Sequence, residues 1–187
     1  PKPSSAASDV YKRQEQLCEL FLASAERNED INIVIDAGGL YYMKEFGCPS
    51  SAIITPHPGE AAMLLDCSVE ELQENRLGAA KELYKKYNCL IILKGYQTIV
   101  FDGEAYQCTD GGPALSTAGT GDVLAGLIGS FLAQGLSKLD AARFSVAIHG
   151  AAGDRFSRNK RIRGLTATKL IKIINAVSYT HLRAHET

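Results

Sequence analysis

The sequence predicts an α/β fold, a single αβα sandwich built on a mainly parallel sheet. Short β-branched runs stopped by Asp, Pro or Gly alternate with stretches of helical periodicity, the order that gives parallel strands joined by helices. The runs are apolar at consecutive positions, as strands covered on both faces are. No internal repeat, linker or low-complexity stretch divides the 187 residues.

Residues 15–27 have helical period, and Ile31-Asn32-Ile33-Val34-Ile35 reads as the first strand, ending at Asp36. Ala52-Ile53-Ile54 is the second. It stops at Thr55-Pro56-His57-Pro58-Gly59-Glu60, where the prolines forbid continuation and Pro58 suits the first turn of a helix running to Leu65. Ser68 and Glu71 form a capping-box pair before one helix carrying Leu72, Leu77, Ala80, Leu83, Tyr84 and Tyr87, stopped at Asn88. Residues 89–93 give a third buried strand, with Lys94-Gly95 at its carboxyl end. Strands at 98–101 and 104–108 flank Asp102-Gly103, a hairpin signal that adds antiparallel pairing. Helices follow over 122–134, 137–156 and 166–176, the last opening on a capping Thr.

The most informative segment is the small-residue loop from Gly111 to Asp122, which feeds an apolar helix. The first N–H groups of a helix have no intrahelical partner, so Gly119, Thr120 and Gly121 are expected to aim backbone donors at a phosphate, with Asp122 beside it to receive a hydroxyl. An isolated Gly-x-Gly-Asp would read as an ordinary turn with a capping acid. Here Gly111, Gly112 and Pro113 stand upstream, and Val123, Leu124, Leu127, Ile128, Phe131 and Leu132 give the helix a wide apolar face on which Gly126 and Gly129 are expected to allow close packing.

Composition is that of an ordinary globular domain, 45% hydrophobic and 22% charged with a net charge of −1. No Lys/Arg cluster interleaves with aromatics, so neither nucleic acid nor an anionic membrane is indicated, and the basic stretch 155–163 reads as a solvated loop. Without an 18-residue apolar stretch or a signal-peptide pattern, a cytoplasmic location is expected. Cys18, Cys48, Cys67, Cys89 and Cys108 are scattered and form no Cys-x-x-Cys pair, which argues against a disulfide framework or a zinc site. No residue is assigned as a metal ligand.

Ligands of open α/β sheets bind outside the carboxyl ends of the strands, where Asp36, the 55–60 turn, the 94–98 segment and the 119–122 loop are expected to converge on one cleft. Each has a plainer reading alone. Asp36 caps a loop, His57 is an exposed turn residue, Lys94 is a solvated charge, and Glu60 is an acid favoured in a helix first turn by the dipole.

Together these segments resemble a known family. Val-Ile-Asp-Ala-Gly-Gly-Leu (34–40), Ile-Thr-Pro-His-Pro-Gly-Glu-Ala (54–61), Leu-Lys-Gly-Tyr-Gln-Thr (93–98), Gly-Pro-Ala-Leu-Ser-Thr-Ala-Gly-Thr-Gly-Asp-Val-Leu-Ala-Gly (112–126) and His-Gly-Ala-Ala-Gly-Asp (149–154) are similar to motifs of the NAD(P)H-hydrate dehydratases, which have a ribokinase-like fold. The Thr-Pro-His-Pro-Gly-Glu element is specific; Gly-Thr-Gly-Asp alone says only ribokinase-like. The resemblance implies repair of a damaged cofactor, in which the S epimer of hydrated NADH or NADPH is dehydrated at the expense of ADP or ATP, with Mg2+ accompanying the nucleotide. It implies that His57 and Asp122 contact the hydrate, that Asp122 is catalytic, and that Lys94, Gly95, Tyr96, Gln97, Thr98, Gly119, Thr120 and Gly121 serve the nucleotide. A homo-oligomer is expected for the complete protein.

The match departs from the family at Gly38, where a second acid is usual, and at Gly112 and Ala114, where Asn and Gly are common. The family's domain begins with a glycine-rich segment that nothing before Glu15 matches, so the sandwich is expected to be incomplete at its N-terminus and weakly active or inactive by itself. Residues 1–14 and 177–187 read as foreign tails around a partial domain at 15–176, which sets aside His181 and His185 as a metal pair. Two further readings stand beside the dehydratase. One is a ribokinase-like kinase acting on hydroxymethylpyrimidine, hydroxyethylthiazole or a sugar; the other is a non-catalytic nucleotide-binding or tetramer-building module.

Overall fold

The computed structural model describes residues 5–28, 31–158 and 164–184, with side chains over 15–28, 31–158 and 164–176. Five strands, β1 (Ile33–Ile35), β2 (Ala52–Ile54), β3 (Leu90–Leu93), β4 (Ile99–Phe101) and β5 (Ala105–Gln107), form one sheet in that spatial order. β1, β2 and β3 are parallel, while β4 and β5 are antiparallel additions joined through the Asp102-Gly103 turn. Gly103 takes φ 84°, the positive value such a hairpin turn demands.

The period of two along each strand divides the core. Ile35, Ile54, Ile91, Leu93, Ile99 and Phe101 face one way, beneath α1 (Ser5–Arg27), α2 (Gly38–Phe46), α3 (Pro58–Leu65), α4 (Val69–Glu74) and α5 (Arg76–Tyr87). Ile53, Leu90, Ile92 and Val100 face the other way, beneath α6 (Thr120–Ala133) and α7 (Lys138–Ser157). A third cluster, including Ala114, Leu165, Leu170 and Ile174, joins α8 (Ala167–Ala184) to α6 and α7. β3 is buried along its whole length. Ile91→Ala is therefore expected to cost about 2–5 kcal/mol, read as a lower urea midpoint at an unchanged slope. A loss below about 1 kcal/mol would place β3 outside the cooperative core.

The structure departs from expectation at several points. Residues 38–46 form α2, which Gly38 and Gly39 conceal in the sequence, and fully buried Leu40 and Met43 hold it to the sheet. The helix expected after Ser68 is two helices, because Asn75 Oδ1 accepts the Gly78 N–H (2.9 Å) and starts α5 afresh. A Cβ at Gly78 would meet the Asn75 side chain at 2.3 Å, so the cap requires this glycine. Gly126 and Gly129 do not mediate close packing: a Cβ on either would meet nothing within 4 Å. Helix α6 begins at Thr120, two residues before Asp122. Backbone helix extends before Glu15 in α1 and beyond Ala176 in α8. Arg155 lies in α7 and Arg158 caps it, whereas the rest of the basic stretch, 159–163, is outside the described residues, as are the side chain of His181 and the whole of His185. The five cysteines are free; Cys89 and Cys108 are buried, the other three partly so. Among the described residues no helix is long and apolar enough to cross a membrane.

Candidate active site

The three parallel strands end at one sheet edge, and backbone bonds tie their continuations together. Thr55 N–H donates to Ile35 O (3.1 Å), and Lys94 N–H donates to Pro56 O (2.8 Å). Residues 36, 55–60 and 94 are thereby held side by side.

Within the 55–60 turn, His57 caps α3 through a reciprocal pair of bonds. Its Nδ1 accepts the Glu60 N–H (3.1 Å), and Glu60 Oε2 accepts the His57 N–H (2.7 Å). Because Nδ1 is used as an acceptor, the neutral ring carries its hydrogen on Nε2, which lies 3.4 Å from Glu60 Oε1. Glu60 is thus the expected first-turn acid, and it does more: its Oε2 stands 3.8 Å from Lys94 Nζ. Lys94 also donates to Asp36 Oδ1 at 2.6 Å, and the Lys94 and Asp36 side chains are only 18% and 14% exposed. Lys94 is not a solvated strand-end charge, and Asp36 does not merely cap a loop. The residue after Asp36, Ala37, adopts φ 48° and ψ −123°, a strained conformation for an alanine of the kind that clusters at functional sites.

Across from these strand ends stands the glycine loop. Gly119 takes φ 85° as the residue before α6, with no side chain capping the helix. The Thr120 hydroxyl lies 2.6 Å from Leu115 O and 2.8 Å from Thr117 O, which folds the loop back on itself. The Thr120 N–H is also taken, by Thr117 O at 3.2 Å. The N–H groups of Thr117, Ala118, Gly119, Gly121 and Asp122 have no acceptor among the described residues, so of the three expected donors Gly119 and Gly121 are open and Thr120 is not. A Cβ on Gly121 would sit 3.4 Å from Lys94 Nζ, so the loop approaches the charged cluster closely.

His57, Lys94, Gly95, Tyr96, Thr98, Gly119, Thr120 and Gly121 all line one cleft of about 570 Å³. Two predicted residues do not. Gln97 lines a separate hollow behind the loop and accepts a bond from Gln107 Nε2 (2.8 Å). Asp122 lines a second concavity of about 420 Å³ between α6 and α8, which shares Gly119 with the first. Where the sequence predicts a single cleft, the start of α6 stands between two concavities that share Gly119, with Gly121 and Lys94 lining one and the Asp122 carboxylate the other.

Sequence reasoning missed why residues 149–154 matter. A Cβ on Gly150 would lie 2.8 Å from Asp110 O, and one on Gly153 would lie 2.6 Å from Leu115 Cγ, so these glycines let the loop press against α7. Asp154 Oδ2 accepts the Gly111 N–H (3.1 Å). His149 Nε2 donates to Thr120 O (2.9 Å) and lines the main cleft. Small residues at three-residue spacing followed by an acid were the available signal.

Burial pushes the His149 imidazole below its ordinary range; the Thr120 carbonyl opposes this, and the charge of Lys94 adds to it. The unfolded chain therefore takes up a proton here at higher pH than the folded one. Stability is expected to fall as pH drops below about 6.5, and His149→Gln should flatten that part of a urea-midpoint profile. An equally steep profile in the variant would place the acid sensitivity elsewhere.

An αβα sandwich that opposes its parallel strand ends to a glycine loop opening a helix defines a ribokinase-like protein. A ribokinase-like superfamily protein from Enterococcus faecalis superposes with a TM-score of 0.76 at 25% identity, over 88% of this chain and 58% of that one. The chain belongs to the NAD(P)H-hydrate dehydratase family, whose sequence profile matches residues 12–176. It is 41% identical over 140 residues to a bifunctional NAD(P)H-hydrate repair enzyme from Vibrio cholerae, an alignment covering 74% of this chain and 28% of that protein. The ADP/ATP-dependent NAD(P)H-hydrate dehydratase from Bacillus subtilis, co-crystallized with ATP/Mg2+, matches with a TM-score of 0.75 at 32% identity, over 81% of this chain and 55% of the other. The chain thus spans about a quarter to a half of the length of these relatives.

Proposed function

We propose that the protein bearing this chain dehydrates the S epimer of hydrated NADH or NADPH, using ADP or ATP and releasing phosphate to restore the reduced cofactor. The observation that carries this reading is the position of the α6 start between two concavities. A nucleotide in the cleft of Lys94, Gly95, Tyr96 and Thr98 places its terminal phosphate against the open donors of Gly119 and Gly121. The hydrate approaches from the other side, where Asp122 accepts the proton of its hydroxyl. The oxygen–phosphorus bond to the nucleotide breaks as a new one forms to the hydrate hydroxyl. The phosphorylated hydrate then expels phosphate and loses a ring proton, which restores the double bond. Phosphoryl transfer asks little covalent chemistry of a protein, and in-line positioning supplies about 7–11 kcal/mol of the barrier. His57, held by its cap in the main cleft, addresses the part of the hydrate that reaches past Gly119, the residue both concavities share.

No group of three or more His, Cys, Asp or Glu among the described residues is arranged to hold a metal alone. Mg2+ would arrive on the nucleotide, since it keeps several waters and binds chiefly through phosphate oxygens. Asp36 and Glu60 are already engaged by Lys94, so the nucleotide's own phosphates would hold Mg2+, and when bound it would neutralise charge on the phosphoryl oxygens. A cytoplasmic homo-oligomer, with 15–176 as the functional unit of this chain, belongs to the same reading.

The test is incubation of the complete gene product with S-hydrate, ADP or ATP and Mg2+, following recovery of reduced nicotinamide and release of phosphate in equal amounts. A stable phosphorylated product would instead identify a kinase. Nucleotide binding without phosphate release would identify a non-catalytic module.

A further inference from the structure

The break between α4 and α5 points Arg76 at the end of β3. Its Nη2 donates to the carbonyl oxygens of Leu93 (3.2 Å) and Lys94 (3.3 Å), and its Nη1 donates to Gln73 Oε1 (3.0 Å). All three acceptors are neutral, and no carboxylate pairs with Arg76 among the described residues. The planar fork of arginine suits two successive carbonyls, which the compact ammonium of lysine spans less well. Gly95 takes φ +133°, and a Cβ there would stand 2.8 Å from Arg76 Nη1, so the chain turns directly over the guanidinium. Thr98 Oγ1 closes the turn onto Gly95 O (3.0 Å). Tyr96, 77% exposed, lines both the main cleft and the hollow of about 380 Å³ behind it, which Arg76 also lines.

We propose that Arg76 is a positioning residue for the nucleotide loop 94–98, fixing the last carbonyls of β3 and the turn at Gly95 and so setting where Lys94 stands. The proposal rests on the reading of the main cleft as an adenine-nucleotide site. Arg76 touches no reacting atom and lies away from the Asp122 concavity. Its loss removes the guanidinium from the carbonyls of Leu93 and Lys94 and gives Gly95 room to shift. The cost therefore falls on the nucleotide and spares the hydrate.

The test compares Arg76→Met and Arg76→Lys with the unaltered complete gene product, by ADP/Mg2+ calorimetry, by KM for ADP and for hydrate, and by circular dichroism and thermal melting. For Arg76→Met, ADP Kd and KM should rise roughly tenfold, with hydrate KM within about twofold; Arg76→Lys should fall between. Unchanged ADP affinity in a folded Arg76→Met protein overturns the proposal, as does an equal rise in both KM values. If Arg76→Met does not fold, Arg76→Lys decides: weaker ADP binding supports the role and unchanged binding overturns it. An unaltered protein that binds no ADP overturns the cleft reading itself, and this proposal with it. Binding retained equally by the unaltered protein and the variants defeats the Arg76 role alone.

Discussion

Asp122→Asn is expected to lower dehydration by about a thousandfold or more while leaving nucleotide affinity within about twofold. The amide matches the carboxylate in shape but cannot take the hydroxyl proton. Nucleotide binding should persist because Asp122 lines the α6–α8 concavity and is absent from the walls of the main cleft. Its stabilising effect in the first turn of α6 is worth only about 0.3–1 kcal/mol, so melting should fall by no more than about 2–4 °C. Single-turnover phosphate release and a nucleotide titration on the same preparation check both halves. Substantial remaining turnover would remove Asp122 from the mechanism, and lost nucleotide binding would mean that the two concavities are not separate.

Lys94→Met is expected to cost about 1–3 kcal/mol, because it strands the partly buried Asp36 and Glu60 with no cation between them. The two carboxylate side chains are 14% and 17% exposed, so water relieves little of that repulsion. Asp36→Asn should be milder, since Glu60 remains 3.8 Å from Lys94. Urea unfolding of both variants measures the difference. A Lys94→Met protein as stable as the parent would show that the partly buried ion pair contributes nothing, and its nucleotide affinity would then report on Lys94 as a ligand alone.

What the sequence made legible follows from the range of the interactions. The strands, the Asp102-Gly103 hairpin and the capped starts of α3, α4 and α8 are set by neighbours within a few residues, and local pattern finds them. Helix α2 escapes because its local signal, two glycines at the start, is overridden by burial of Leu40 and Met43. The split between α4 and α5 escapes because one asparagine competes as a cap with continuation of the helix. In the site, His57, the 94–98 segment and the glycine loop are visible as motifs, and their gathering at the strand ends follows from the parallel sheet. The Asp36–Lys94 pair spans 58 residues and the Gly111–Asp154 bond spans 43, distances at which no periodicity speaks. The same holds for Asp122. Its place in the first turn of α6 was readable, but the concavity it faces depends on where α8 lies.

The contact of Gly150 and Gly153 with residues 110–115 means that the loop and the middle of α7 form a single unit of inheritance. Neither can drift alone: a larger residue at either glycine displaces the loop, and a bulkier loop finds no room on the helix. Transplanting residues 110–121 from a distant relative should therefore fail unless residues 149–154 travel with them, and a chimera carrying both should accept the exchange.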